Sequence, residues 1–231
     1  MPKESAEEFT RLSSEGAGAP RLFMFSGGSA MRIVDFLPAD FFKLDDTLTA
    51  LDERYAPEEA ASNFAQLLKK EIIQKAQKLG AGFINPRPTK DEPLEEAAKR
   101  FEDSLRKWAS DNPKSKIFIT QGLGEDGHTA GILPLPQEPE KFATLFEDAG
   151  KWVVGYEARL AKSAYPERIT VTLPFLANIV RASVVFVSGE NKKKALEMAL
   201  AENGSLAATP ARILKSMKSV FIFTDIEKPS F

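Results

Sequence analysis

Apolar residues along this chain gather in short, nearly continuous runs, and the stretches between them carry helical spacing. Arg21–Phe25 (RLFMF), Thr47–Leu51, Ile117–Thr120, Val184–Val187 and Val220–Phe223 read as strands ended by Gly, Ser, Asp or Thr. Trp152–Gly155 adds a further strand. Ile169–Leu173 alternates and fits a strand or an extended lead-in to the next helix. Helices are expected over residues 5–14, over Ala30–Leu37 up to Pro38, and over Lys192–Ala201. A long helix is expected from Pro57 to Leu79, with Pro at its start and Gly80 just past its end. Leu94–Ala109 is amphipathic, placing Leu94, Ala97, Ala98, Phe101, Leu105 and Trp108 on one face, and Pro174–Val180 also reads as helical. Two stretches break the pattern. EGAGAP follows the first helix, and residues 131–150, with Pro134, Pro136 and Pro139, read as a plain loop, a surface lid being the alternative.

Strands that are apolar on both faces, alternating with helices, require a mostly parallel sheet covered on both sides. A length of 231 residues suits one such α/β domain spanning 1–231, with enough buried surface to need no covalent staples.

Composition narrows the chemistry. With no Cys, disulfides, thiolate nucleophiles and thiolate metal sites are excluded, and one His, His128, excludes a multi-His metal site. A carboxylate site for a hard cation has no motif behind it, so no metal and no organic cofactor is expected. The net charge of −2 is spread over interspersed residues of both signs, which gives no basic stripe for nucleic acid. No apolar run approaches the roughly 18 residues a membrane span needs. The segment MPKESAEEFTRLSSEG lacks the apolar centre of a secretory signal, so a cytoplasmic protein is expected.

Four turns directly follow expected strands: Ser26–Ser29, Asp52–Arg54, Gly122–His128 and Ser188–Lys192. Ligands collect at the carboxyl ends of parallel strands, so these turns converge on one edge if their strands are parallel. Ser26-Gly27-Gly28-Ser29 lets backbone N–H groups approach a phosphate, the alternative being a tight strand–helix turn. Gly122–Gly127 matches G-x-G-x-x-G, but Pro134 cuts off the following segment where a dinucleotide site needs a long helix. His128, near Asp126 in a Gly-rich turn, has the residue type and placement of a general base. Arg54, Arg168 and Lys192 are single cations near strand ends, and taken alone each reads equally as a surface charge.

Together these stretches resemble the glucosamine-6-phosphate isomerase/6-phosphogluconolactonase family, and within it the lactonases. The matching residues are Ser26–Ser29, Asp52-Glu53-Arg54 with Tyr55 and Pro57, Ser62-Asn63, Gly122–Ala130 (GLGEDGHTA) to Pro134, Glu167–Pro174 (ERITVTLP), and Ser188–Glu190 with Lys192. The resemblance implies a Rossmann-like three-layer α/β/α sandwich. It also implies hydrolysis of a phosphorylated sugar lactone in the pentose phosphate pathway, by a monomer or small homo-oligomer. His128 is then the base that activates water, and Asp126 orients His128 or the substrate. Ser26, Gly27, Gly28 and Ser29 hold the phosphate together with Arg168 and Lys192. Asp52 and Arg54 line the sugar site, Arg54 near the lactone or phosphate oxygens.

The chain departs from the lactonase pattern at Ala30-Met31, at Lys116 and at Gly131–Leu133. The main alternative is a glucosamine-6-phosphate deaminase or related isomerase. Those enzymes carry a Glu at the position that Leu133 occupies here, and Leu has no acid–base chemistry. The other alternative is a non-catalytic sugar-phosphate-binding protein, which has no need of His128.

Overall fold

The computed structural model describes residues 1–15, 18–56, 58–158 and 165–227. Its centre is a six-stranded sheet of β1 (Arg21–Phe25), β2 (Thr47–Ala50), β4 (Gly82–Phe83), β5 (Lys116–Gly122), β8 (Ala182–Val187) and β9 (Val220–Thr224). The order is β4-β2-β1-β5-β8-β9 and every pairing is parallel. The apolar runs explain why. In β1, Leu22 and Met24 enter one core while Phe23 and Phe25 enter the other, and all four are fully buried.

One face is covered by α1 (Pro2–Ser14), a 3-10 segment (Gly28–Phe36), α2 (Asn63–Leu68) and α3 (Glu71–Leu79), around rings such as Phe9, Phe23, Phe25 and Phe118. The other is covered by α4 (Leu94–Asp111), α5 (Pro139–Phe146) and α6 (Lys193–Leu200). The result is the expected three-layer α/β/α sandwich.

The second face also holds a small sheet, β3-β7-β6, made of β3 (Asp52–Arg54), β6 (Val153–Glu157) and β7 (Glu167–Val171), all antiparallel. This corrects the reading of Asp52–Arg54 as a turn. The triplet is itself a strand, registered Asp52 to Thr170 and Arg54 to Arg168. Short antiparallel strands alternate no more clearly than the parallel ones, so the pattern did not separate the two sheets.

The long helix expected to end at Leu79 is interrupted. A 3-10 turn at Glu59–Ala61 precedes α2, and Lys70 is extended (φ −71°, ψ 133°) between α2 and α3; Pro57 lies outside the described residues. Tertiary anchoring sets the break. The buried Glu53 carboxylate accepts from the backbone N–H groups of Asn63 and Phe64 (2.8 and 3.0 Å) and from Ser62 Oγ (2.8 Å), fixing the start of α2. Lys70 Nζ is meanwhile held by Asp35 at 2.7 Å. Residues 131–150 are not irregular throughout, because α5 begins on Pro139 and buries Phe142 and Phe146. The EGAGAP break includes residues 16 and 17, which lie outside the described residues. No helix among the described residues is long and apolar enough to cross a membrane.

Candidate active site

Sheet order locates the site. From β1 the chain runs outward to β2 and β4, and from β5 it runs the other way to β8 and β9, so the order reverses between β1 and β5. Neighbouring loops part at such a switch point and leave a crevice at the carboxyl ends of the strands. A cavity of about 490 Å³ opens there. Ser26, Gly27, Gly28 and Ser29 from the end of β1 line it, as do Asp52 and Arg54 of β3, Asp126 and His128 after β5, Arg168 of β7, and Lys192 after β8. Every site residue singled out from the sequence therefore faces one cavity.

The loop after β5 is folded around His128. Gly124 N–H donates to the His128 carbonyl (2.9 Å) and Gly127 N–H to the Gly124 carbonyl (3.0 Å). A buried polar chain anchors the loop to the sheet: Ser183 Oγ donates to Gln121 Oε1 (2.7 Å), Gln121 Nε2 to Thr129 Oγ1 (3.2 Å), and Thr129 Oγ1 to the Gly122 carbonyl (2.8 Å). Ala130 adopts a left-handed φ of 50°, a conformation costing a non-glycine residue about 1 kcal/mol. It is held there by Thr170, whose hydroxyl donates to the Ala130 carbonyl. Next to it the Tyr156 hydroxyl donates to the Gly131 carbonyl at 2.6 Å. Burial pushes the Tyr156 phenol well above its ordinary value, so it serves this loop as a neutral donor.

His128 Nδ1 lies 2.6 Å from Asp126 Oδ1. Partial burial pushes Asp126 up, but the ring hydrogen bond and positive field of His128 and the His128 backbone N–H outweigh it and hold the carboxyl below its ordinary value. An ionised carboxylate only accepts, so Nδ1 carries the proton and the free lone pair of the neutral imidazole form is on Nε2. A carboxylate–imidazole pair of this kind is an arrangement that general bases use.

Around it the charges are mixed. Burial pushes Asp52 up, against the opposing pull of Arg168, Arg54 and His128 and a hydrogen bond from Asn63. Arg54 Nη1 donates to the Ala61 carbonyl (2.8 Å), with its guanidinium 5.8 Å from the Tyr165 ring centroid. Arg168 Nε donates to the Tyr165 carbonyl at 2.9 Å. Lys192 Nζ reaches Ser29 Oγ at 3.3 Å, bringing the β8 turn against the β1 turn. Burial pushes the Lys192 ammonium down, countered by Glu125 and Asp225. Gly28 has φ +63° and open space where a Cβ would project, so the turn exposes backbone beside Lys192.

Asn63 lines the cavity too, although its residue type alone pointed to no role there. Its Nδ2 donates to the Asp52 carbonyl (3.0 Å) and to Asp52 Oδ2 (3.2 Å). Its Oδ1, the buried side-chain atom left without a hydrogen-bond partner among the described residues, presses on Gly27, where a Cβ would sit 2.2 Å away. The visible signal was the Ser62-Asn63 pair inside an expected helix, Ser being a preferred helix cap. Ser62 is indeed that cap, accepting from Ala65 N–H at 3.0 Å.

Residues 19–222 match the model of the family described as glucosamine-6-phosphate isomerases/6-phosphogluconolactonase. The chain belongs to this family. Among curated relatives, a 6-phosphogluconolactonase of Mesorhizobium japonicum is 28% identical over 205 residues, covering 87% of this chain and 76% of its own. One from Helicobacter pylori is 29% identical over 196 residues, covering 84% and 78%. The crystal structure of a 6-phosphogluconolactonase from Shewanella baltica superposes with a TM-score of 0.72 at 23% identity over 97% of this chain and 94% of that one, which establishes the shared fold. The glucosamine-6-phosphate isomerase/6-phosphogluconolactonase family match spans all the stretches that line the cavity, from Ser26 to Lys192.

Proposed function

We propose that this chain hydrolyses 6-phospho-D-glucono-1,5-lactone to 6-phosphogluconate, as a cytoplasmic step of the pentose phosphate pathway, with His128 as general base. The observation that carries the mechanism is the Asp126–His128 pair, set in one cavity with a glycine turn and three cations. In this reading Lys192, Arg168 and the Gly27–Ser29 turn hold the phosphate, fixing the lactone carbonyl near Nε2. Nε2 takes a proton from water as the water oxygen bonds to the lactone carbon. Cationic side chains offset the charge that develops on the carbonyl oxygen. The tetrahedral centre then collapses, the bond to the ring oxygen breaks, and the imidazolium returns its proton to that oxygen. Water is thereby added across the ester bond, and no other reagent is consumed.

Leu133 supports hydrolysis over deamination. It is buried in the core, its N–H donates to the Tyr156 phenol oxygen at 3.1 Å, and it is not part of the cavity lining. The direct test is hydrolysis of freshly generated 6-phosphogluconolactone with the spontaneous rate subtracted. Acceleration supports the reading. No acceleration, with turnover of glucosamine-6-phosphate, would replace it by the deaminase reading, and tight sugar-phosphate binding without turnover of either would indicate a sensor.

Two further outcomes are expected. Lys192→Ala should raise KM roughly ten- to hundredfold with a smaller change in kcat, as loss of a charged hydrogen bond to the phosphate would do. Lys193→Ala, outside the cavity lining, should leave both constants near wild type, and steady-state kinetics on the pair separates the roles.

Asp52→Asn should trade activity for stability. Because burial raises the folded-state pKa of Asp52, the native chain keeps this proton over a window in which the unfolded chain, with a pKa of about 3.9, has lost it. Wild-type stability therefore falls as pH rises through the folded pKa, and the Asn variant escapes that loss. Its melting temperature should exceed wild type at pH 7, and by less at pH 4. Its kcat/KM should drop. An equal gap at both pH values would show that Asp52 bears no such strain.

A further inference from the structure

A second cavity, of about 480 Å³, lies on the far side of Arg54. Its lining includes Arg54, Tyr55, Arg87, Thr89, Lys90 and Asp91, so three cations face one carboxylate. The hydrolytic reading uses none of these residues except Arg54, which lines both cavities. We infer that this second cavity is a binding site for a phosphate-class dianion, separate from the catalytic cavity.

The wall carrying Arg87 and Lys90 is fixed before any ligand arrives. Arg100 of α4 donates from Nη1 to the Asn85 carbonyl (2.9 Å), from Nη2 to the Arg87 carbonyl (2.6 Å), and from Nε to Glu92 Oε1 (2.8 Å). Glu92 Oε2 accepts from Thr89 N–H at 2.8 Å, and the Tyr55 hydroxyl donates to the Glu92 carbonyl. The Arg100 hydrogen bonds are the main reason the Glu92 carboxyl is held down to about 2, so the clamp stays ionised at neutral pH. Asp91, at φ 61°, turns the chain sharply inside the clamp. The backbone that carries Arg87 and Lys90 is thereby held in place, so binding has only their side chains left to order.

Arg54 lines the same cavity. Its Nη1 donates to the Ala61 carbonyl and its guanidinium lies over the Tyr165 ring. A guanidinium has five N–H donors, so others remain to face either cavity. Arginine forks match the spacing of phosphate oxygens, and Lys90 adds a point charge. A dianion is the ligand class this arrangement suits, since one charge answers Asp91 and the surplus of cations remains.

The inference does not rest on lactone hydrolysis, and its test reads binding directly. Inorganic phosphate is titrated into the full chain at constant ionic strength while the Arg87 Nε–Hε resonance is followed by NMR. A saturating shift is expected. Lys90→Ser should weaken that curve about five- to tenfold, the contribution of one nearby cation near a protein surface. Lys192→Ala should leave it unchanged, because Lys192 lines only the catalytic cavity of the two. A linear shift without saturation, or a curve that Lys192→Ala moves as much as Lys90→Ser does, would overturn the second site. Each outcome is distinct from the lactonase assay, which reads the first cavity.

Discussion

Replacing His128 by Ala is expected to lower kcat by roughly two to four orders of magnitude, the usual contribution of a general base, while thermal unfolding stays close to wild type. The ring is 41% exposed at the cavity wall, so its removal leaves no buried void. What it does leave is Asp126, whose carboxyl that ring helps to hold below its ordinary value against partial burial. Its Oδ1 also accepts from the His128 backbone N–H at 3.1 Å, a bond that the substitution leaves in place. KM should change little, because in the proposed reading other groups hold the phosphate end of the substrate. Measuring kcat and KM separately on 6-phosphogluconolactone, beside a melting curve, checks all three expectations. A variant retaining more than about a tenth of the wild-type kcat would remove His128 from the proton transfer and leave the cations and the turn to account for the rate.

The site was legible in the sequence because its parts follow strand ends. Each parallel strand shows as an apolar run, and the residues just after it land on the carboxyl edge whatever the exact strand boundaries. That is why Ser26–Ser29, Gly122–His128 and Lys192 could be brought to one edge before the sheet order was known. Asp52 and Arg54 reached the same cavity by a route the pattern did not show, as a strand of a second sheet paired with β7. Strand pairing is a long-range property, and a three-residue strand has no periodicity to read. The break between α2 and α3 was hidden for a similar reason: good helix formers run through Lys69-Lys70, and the interruption comes from anchors at Glu53 and Asp35 that are remote in sequence. By contrast α5 was locally visible. Pro139 opens it, Glu140 sits in its first turn, and Phe142 and Phe146 are one turn apart, but the three prolines drew the reading toward a loop.

Gly124→Ala is expected to come close to His128→Ala in its effect on kcat without touching any reacting group. A Cβ at Gly124 would sit 2.1 Å from His128 Nδ1, 2.2 Å from its Cε1 and 2.7 Å from Asp126 Oδ1, all far inside van der Waals contact. The backbone cannot yield easily. Gly124 N–H is bonded to the His128 carbonyl, its carbonyl accepts from Gly127 N–H, and the preceding Leu123 is buried in the core. The half-exposed imidazole is the mobile partner, so the ring swings out and its bond to Asp126 breaks. With that bond gone, neither the Nδ1–H tautomer nor the aim of Nε2 is fixed, and a loss of roughly 10²-fold or more in kcat follows. Stability should fall by no more than about 1 kcal/mol, since the displaced groups move into solvent. Gly122→Ala is the internal control: a Cβ there meets Ala30 at 3.7 Å, an ordinary contact, and its kcat should stay near wild type. If Gly124→Ala kept normal kcat, the loop would have relaxed around the methyl group and the Asp126–His128 contact would not be needed for the rate. If it lost activity only through unfolding, the melting curve would show it. A folded, inactive Gly124→Ala beside an active Gly122→Ala would show that this glycine is required for the space it leaves to the base, and that the Gly-rich turn serves the His–Asp pair as well as its own bend.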